Sequence, residues 1–125
     1  MKVAIIGASD KPDRYAYRAQ QMLMDDGHET FPVSLSGQDI LGRTVYRSAL
    51  EIPDSDRPIH TATLYVSPER FAPVADEVID LRPERVIFNP GTESAEIEER
   101  FREAGIEVIE ACTLVLLATE QFEVA

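Results

Sequence analysis

The chain contains little cysteine and few cations. Cys112 is the single cysteine among 125 residues, which excludes an intrachain disulfide and a cysteine-rich zinc site. Twelve lysines and arginines stand against 23 aspartates and glutamates, so the net charge is −11. This charge argues against general binding to nucleic acid or to an anionic membrane surface, because polyanions are repelled on average. The negative net charge does not exclude a small anionic ligand that binds in a locally basic pocket.

Long apolar runs are missing as well. The N-terminal apolar run covers only residues 3–6, and no stretch approaches the ~20 apolar residues that span a bilayer. Hydrophobic residues at 44% and charged residues at 28% are ordinary values for a soluble globular protein. The length suits one domain with a real core. We therefore expect a single cytoplasmic domain over residues 1–125.

Short apolar segments alternate with amphipathic ones along the chain. Strands are predicted at residues 3–6, 31–33, 61–66, 85–88 and 106–109. Helices are predicted from an N-cap at Asp13 to Gly27, from Ser67-Pro68 to Pro83, and from Ser94 to Ala104. This alternation predicts a Rossmann-like, doubly wound parallel sheet of about five strands with helices on both faces. The apolar tail at 114–118 is either a final buried helix or a subunit contact, and it motivates the expectation of a homodimer.

The turn after the first strand is not a dinucleotide fingerprint. A nicotinamide or flavin site requires Gly-x-Gly-x-x-Gly there, and an acidic residue at the end of the second strand. The chain instead reads Gly7-Ala8-Ser9-Asp10-Lys11-Pro12, and its second strand ends in Val33-Ser34-Leu35. A Walker loop is excluded because no Gly-Lys-Ser/Thr follows. A small NAD(P)-dependent oxidoreductase is therefore only the alternative interpretation.

The turn and the following helix carry a hydroxyl and several cations. Ser9 and Lys11 lie in the turn, and Arg14 and Arg18 are four residues apart, so they share one helix face. Arg43 and Arg47 form a second basic pair in the irregular segment. In so acidic a chain these clusters predict phosphate binding. The ordinary alternative is that Arg14 and Arg18 are solvated helix residues that pair with Asp13 and Asp25.

Two tyrosines near the start of this helix are predicted to differ in role. Tyr15 falls on the same face as Ala19, Met22 and Leu23, so we expect it in the core. Tyr17 is out of phase with that face, and we expect it to flank the ligand.

The order and spacing of several short motifs carry a resemblance that covers nearly the whole chain. These motifs are Val3-x-x-x-Gly7-Ala8-Ser9-x-Lys11-Pro12, Tyr17-Arg18, Phe31-Pro32-Val33, Ile40-Leu41-Gly42-x-x-Val45-Tyr46, Leu50-x-Ile52-Pro53, and Arg102-x-Ala104-Gly105-Ile106-x-Val108 continuing to Cys112. Together they resemble the stand-alone CoA-binding protein family. Those proteins are relatives of the N-terminal, CoA-binding domain of the succinyl-CoA synthetase α subunit.

The resemblance implies that coenzyme A, or an acyl-CoA, lies across the carboxyl ends of the strands. It implies that the first turn contacts the nucleotide phosphates, that Ser34 lies near the adenosine end, and that Val66 and Ser67 line the other side. The pattern of the first turn and helix adds Gly7, Arg14 and Tyr17 to these candidate contacts. The candidate CoA-binding residues are thus Gly7, Ser9, Asp10, Lys11, Pro12, Arg14, Tyr17, Arg18, Ser34, Val66 and Ser67.

Residues suited to catalysis are scarce. His28 and His60 precede the second and third strands, at the end of the sheet opposite the crevice, and we expect surface or hinge positions for both. Cys112 is either a small buried hydrophobe or a thiol activated by a helix that starts at Thr113. The acidic run 93–110 is predicted to be the solvated face of a helix, and no triad or metal-ligand spacing is present.

These observations predict a non-catalytic CoA-binding module, acting as a sensor or as a partner of an acyl-CoA enzyme. Besides the oxidoreductase, one more alternative stays open. It is a domain that kept the fold, lost its ligand and acts through protein contacts.

Overall fold

A five-stranded parallel sheet is the centre of the molecule. The computed structural model describes every residue from Met1 to Ala125. The strands are β1 (Lys2–Ile6), β2 (Glu29–Val33), β3 (Thr61–Leu64), β4 (Arg85–Phe88) and β5 (Glu107–Glu110). The helices are α1 (Tyr15–Asp25), α2 (Pro68–Phe71), α3 (Ala75–Leu81), α4 (Ala95–Glu103) and α5 (Thr113–Ala118). Short 3-10 turns occupy Ala49–Glu51, Asp54–Asp56 and Ala72–Val74.

The strands are ordered β2-β1-β3-β4-β5, and every pair is parallel. The predicted doubly wound α/β fold is therefore confirmed. The chain runs from β1 outward to β2, then crosses back to place β3 on the other side of β1. Loops leave β1 and β3 in opposite directions at this reversal of strand order. A crevice opens there, outside the carboxyl ends of the strands.

Both faces of the sheet are covered, and they form two separate cores. Alternate residues of β1 point to opposite sides: Val3 and Ile5 to one, Ala4 and Ile6 to the other. The first core is completed by α1 and α5, and the second by α2, α3 and α4. In the second core the rings of Phe71, Phe88 and Phe101 pack with centroids 5.8 to 6.4 Å apart. Burial on both faces explains why the strands read as apolar runs rather than as alternating patterns.

The outer edge of β2 tolerates a proline. The carbonyl oxygen of Pro32 accepts a hydrogen bond from the N–H of Tyr46, and the N–H of Ser34 donates to the carbonyl of Tyr46. Pro32 therefore faces away from β1, where its missing N–H removes no bond of the ladder. Tyr46 forms a one-residue parallel bridge with Val33 and so covers this edge.

The start of α1 differs from the prediction. Arg14, rather than Asp13, is the N-cap residue, and its side chain makes no capping bond. The cause is a turn closed by the Arg14 N–H and the Lys11 carbonyl, which carries the chain one residue further before the helix begins. Gly27 is confirmed as the stop, since it adopts φ +86° directly after the helix.

The predicted continuous second helix is broken into α2, a 3-10 turn and α3. Pro73 lies at the break, where it lacks the N–H that a regular α-helix would use. Ser67 occupies the N-cap position and Pro68 the first helical position, as predicted, but the Ser67 side chain makes no capping bond.

The apolar tail is the helix α5, which buries Leu116 and Leu117 beside α1. Of the two alternatives for this segment, the final buried helix is confirmed, whereas the homodimer stays a prediction. None of the helices reaches the length and apolarity needed to cross a bilayer.

His28 is not a surface residue. It is 6% exposed, its ring packs on Phe122 at 5.2 Å, and its Nδ1 lies 2.9 Å from the amino group of Met1. Burial lowers the pKa of His28, so the imidazole is a neutral core group. His60 is half-buried and hydrogen-bonded to Thr61. Both histidines lie at the amino-terminal end of the strands, as predicted.

One carboxylate of the acidic run also departs from the expected solvated face. The Glu98 side chain is 3% exposed and accepts a hydrogen bond from the Ser94 N–H, while the Ser94 hydroxyl accepts from the Ile97 N–H. This reciprocal cap draws Glu98 inward at the start of α4. Burial, with a hydrogen bond to Glu110, raises the pKa of Glu98.

We predict that Glu98 makes stability fall as pH rises. In the unfolded chain this carboxyl loses its proton near pH 4.5, whereas the folded protein retains it to higher pH. The folded state therefore binds more protons in that window, and the free energy of unfolding decreases until pH exceeds the raised pKa. Urea denaturation between about pH 4 and pH 7 should show Glu98→Gln gaining stability relative to wild type as pH increases.

Glu99→Gln is the control, because the Glu99 side chain is 58% exposed. It should track wild type across the same pH range. Parallel curves for Glu98→Gln and wild type would show that this explanation is wrong.

Candidate functional site

The crevice at the strand-order reversal has a volume of about 700 Å³, within the range of small-molecule sites. Four segments that follow successive strands line it. They are residues 7–9, 11 and 14–16 after β1, residues 34–36 after β2, residues 65–67 after β3, and residues 90–92 after β4. The connection between β2 and β3 and the helices α2 and α3 contribute the rest of the wall.

Gly7 allows the first turn to lie directly against the end of β3. It adopts φ +86°, and a Cβ added there would stand 2.6 Å from Val66 Cγ2 and 3.0 Å from the carbonyl oxygen of Tyr65. A side chain at this position would therefore collide with the opposite wall as well as strain the backbone. Gly7 and Val66 thus lie close together on facing walls of the crevice.

The N–H groups of this turn are not all free for an anion. Gly7 and Ala8 both donate to the carbonyl of Val33 at 3.0 Å, and the Lys11 N–H donates to the Ser9 hydroxyl at 3.1 Å. The free N–H groups lie one turn later, at the start of α1, on Tyr15, Ala16 and Tyr17. They have no capping side chain, and this helix end opens on the crevice.

Four cations line the crevice: Lys11, Arg14, Arg47 and Arg70. None of them forms an ion pair with a carboxylate of the protein, and the single acid in the lining is Glu77. By contrast, the arginines that do pair with acids lie elsewhere, at positions 43, 57, 100 and 102. In a chain with 23 acids this separation makes the crevice the locally basic pocket that the sequence predicted.

The structure brings most of the predicted residues together. Gly7, Ser9, Lys11, Arg14, Ser34, Val66 and Ser67 line the crevice. Asp10, Pro12, Tyr17 and Arg18 do not line it. Contact of any of these residues with a ligand stays a prediction.

The prediction that Tyr15 lies in the core is wrong, whereas ligand contact by Tyr17 stays a prediction. Tyr15 is 66% exposed, lines the crevice and lies under the guanidinium of Arg18 at 5.5 Å, whereas Tyr17 packs against the first core. Of the face predicted for α1, Ala19 and Leu23 are buried and Met22 is partly buried, so only Tyr15 was placed wrongly. Ala16 and Gln20 complete the buried face.

Arg70 was missed by the sequence analysis. It lies in the first turn after Ser67-Pro68, and this position is the signal that could have found it, because Ser67 was already placed at the crevice. Of the second basic pair, Arg47 faces the crevice. Arg43 does not, because its guanidinium donates to the Thr30 carbonyl at 2.8 Å and pairs with Glu29.

A network of buried side chains connects the ends of β3 and β4 with the start of α5. Asn89 donates to the Thr63 hydroxyl at 2.7 Å and to the Leu64 carbonyl at 2.8 Å, and it accepts from the Thr113 N–H at 2.8 Å. Burial raises the pKa of the neighbouring Tyr65 phenol to about 12, so it stays neutral. The network fixes the loops that form the floor.

The cysteine and the two histidines are placed away from the crevice. Cys112 is a partly exposed free thiol at the N-cap of α5, and neither cysteine nor histidine is among the lining residues. Thr113 does start a helix, as one of the two alternatives for Cys112 required.

The fold and the crevice together define a doubly wound α/β domain whose ligand crevice lies where the strand order reverses. A family model described as a CoA binding domain matches residues 1–118. The chain therefore belongs to the CoA binding domain family, and the resemblance stated from its motifs is confirmed.

Several individual proteins are similar to this chain. A crystal structure of an uncharacterized protein superposes with a TM-score of 0.86 at 39% identity, covering 97% of each chain. The uncharacterized protein YneT of Bacillus subtilis is 28% identical over 108 residues, which are 86% of this chain and 78% of YneT. The α subunit of acetate–CoA ligase (ADP-forming) I of Pyrococcus furiosus is 40% identical over 77 residues, which are 57% of this chain and 16% of that subunit.

We predict that Gly7→Ala destabilises the protein more than an ordinary glycine replacement does. An alanine at positive φ costs about 1–2 kcal/mol by itself, and the contact with Val66 adds to that cost. Gly105→Ala is the matched control, because Gly105 has φ +82° but nothing within 4 Å of the added Cβ. Urea denaturation measures both. Equal losses of stability would show that the walls move apart freely.

Proposed function

We propose that this chain binds coenzyme A, or an acyl-CoA, in the crevice. The observation that carries the proposal is the set of four cations without carboxylate partners, beside the uncapped start of α1. A phosphorylated ligand satisfies both, since it accepts hydrogen bonds from free N–H groups and pairs with guanidinium and ammonium groups. Membership of the CoA binding domain family supports coenzyme A as that ligand.

The walls suit the other parts of the same ligand. Val66, Val74 and Val78 present apolar surface on the β3 side, suited to a pantetheine arm or an acyl chain. A nicotinamide dinucleotide is disfavoured, because the end of β2 carries Ser34 and Ser36 where an acid would hold the ribose hydroxyls.

The proposed role is that of a non-catalytic module, a sensor or a partner of an acyl-CoA enzyme. The position of the two histidines at the opposite end of the sheet supports this role, because a general base must reach its substrate.

Thermal-shift measurements with coenzyme A, NAD and NADP test the proposal. We expect coenzyme A to raise the Tm in a saturable, concentration-dependent way, because a ligand that binds only the folded state stabilises it. NAD at equal concentration should have little effect. A shift by NAD that equals or exceeds the shift by coenzyme A would contradict the proposal and favour the oxidoreductase.

We further predict that Lys11→Ala weakens coenzyme A binding by about 1–3 kcal/mol, the range for a lost charge-assisted hydrogen bond. Calorimetric titration gives the dissociation constant. Lys2→Ala is the control, because it removes the same charge at the opposite end of the sheet, where Lys2 binds the Asp56 carbonyl. Unchanged affinity in Lys11→Ala would remove Lys11 from the site.

A further inference from the structure

The segment around Arg47 is fastened to the end of β2. Its neighbour Tyr46 exchanges two backbone hydrogen bonds with the edge of β2, both at 2.9 Å. The Arg47 N–H donates to the Glu51 carboxylate at 3.0 Å. These bonds fix the backbone at position 47 beside the residues that follow β2, although Arg47 is 13 residues downstream of Ser34 in the sequence.

The Arg47 guanidinium reaches into the crevice with most of its donors unused. Its only hydrogen bond in the protein is a long one, 3.4 Å from Nη1 to the carbonyl of Leu35, and it forms no ion pair. The Glu51 carboxylate accepts from the backbone N–H of Arg47 and forms no ion pair with its guanidinium. The Ser34 and Ser36 hydroxyls lie on the same wall and are exposed to the crevice. A guanidinium with free donors beside two hydroxyls suits a phosphate group.

The position of Arg47 near the end of β2 indicates which phosphate group of a nucleotide it suits. In doubly wound nucleotide-binding domains the diphosphate lies at the start of the first helix, and the end of β2 contacts the ribose. An acid at the end of β2 selects a ribose with free hydroxyls, whereas an arginine nearby accommodates a ribose phosphate. Here Lys11, Arg14 and the start of α1 occupy the first position, and Arg47 occupies the second.

We propose that Arg47 is a specificity-determining residue that holds the ribose 3′-phosphate of the bound nucleotide. This inference rests on the proposed function, since it concerns the same crevice. It separates the role of Arg47 from that of Lys11 and Arg14. Lys11 and Arg14 serve the diphosphate, which coenzyme A and its 3′-dephospho form both carry, and Arg47 serves the phosphate that distinguishes the two ligands.

The test measures dissociation constants for coenzyme A and 3′-dephospho-coenzyme A by calorimetry. Wild type should bind coenzyme A about 10- to 100-fold more tightly than the dephospho form, as one charge-assisted contact predicts. Arg47→Ala should reduce that ratio to about 3 or less, while its affinity for the dephospho form stays at the wild-type value. Arg47→Lys should restore part of the ratio, because it keeps the charge without the planar fork.

Arg70→Ala is the matched control, since it removes an arginine from the β3 side of the same crevice. It should weaken both ligands by the same factor and leave the ratio unchanged. A wild-type ratio retained by Arg47→Ala, or equal binding of both ligands by wild type, would overturn the inference and leave the proposed function intact. If wild type binds neither ligand at millimolar concentration, the proposed function itself fails, and this inference fails with it.

Discussion

The contact between the first turn and the end of β3 is the constraint on which the candidate site depends. Because Gly7 has no side chain, the loop after β1 lies directly on Tyr65 and Val66. That contact holds the two loops that diverge at the strand-order reversal, and the start of α1 is placed relative to both. Beneath them, Asn89 connects the ends of β3 and β4 to α5. The crevice is thus shaped by close packing on one side and by buried hydrogen bonds below.

The cations of the crevice are separated from the ion pairs formed elsewhere in the protein. Several acids of this chain pair with arginines outside the crevice, such as Arg43, Arg57 and Arg100. The crevice cations are kept apart from those acids, so their charges are not cancelled before a ligand arrives. The first turn adds no free N–H at Gly7 or Ala8, because the Val33 carbonyl takes both. The donors left for an anion are therefore the crevice side chains and the free N–H groups at the start of α1.

The sequence was sufficient for the fold because its apolar segments and turn residues agree with one another. The strand segments, the stop at Gly27 and the helix after Ser94 are local signals, and the structure confirms them. What failed depended on tertiary geometry. On the predicted face of α1 only Tyr15 was wrong, because Ala16 takes the buried position at the start of the helix and Tyr15 is left exposed beside the crevice. Arg70 carried no motif of its own and enters the site only because α2 folds back over the crevice. His28 is buried by Met1 and Phe122, which are distant in sequence, and Glu98 is drawn inward by its cap with Ser94.

Because the crevice is basic and the whole molecule is acidic, salt affects the approach and the binding of an anionic ligand differently. An anionic ligand approaching this molecule meets a repulsive far field from a net charge of −11 before it meets the cations of the crevice. Mobile ions at physiological strength screen the far field beyond roughly 8 Å. Added salt therefore has two opposed effects on such a ligand. It weakens the long-range repulsion during approach, and it weakens the attraction between the bound ligand and the crevice cations. For the proposed anionic ligand we therefore expect the association and dissociation rates both to rise with ionic strength, unlike in a protein that is basic throughout.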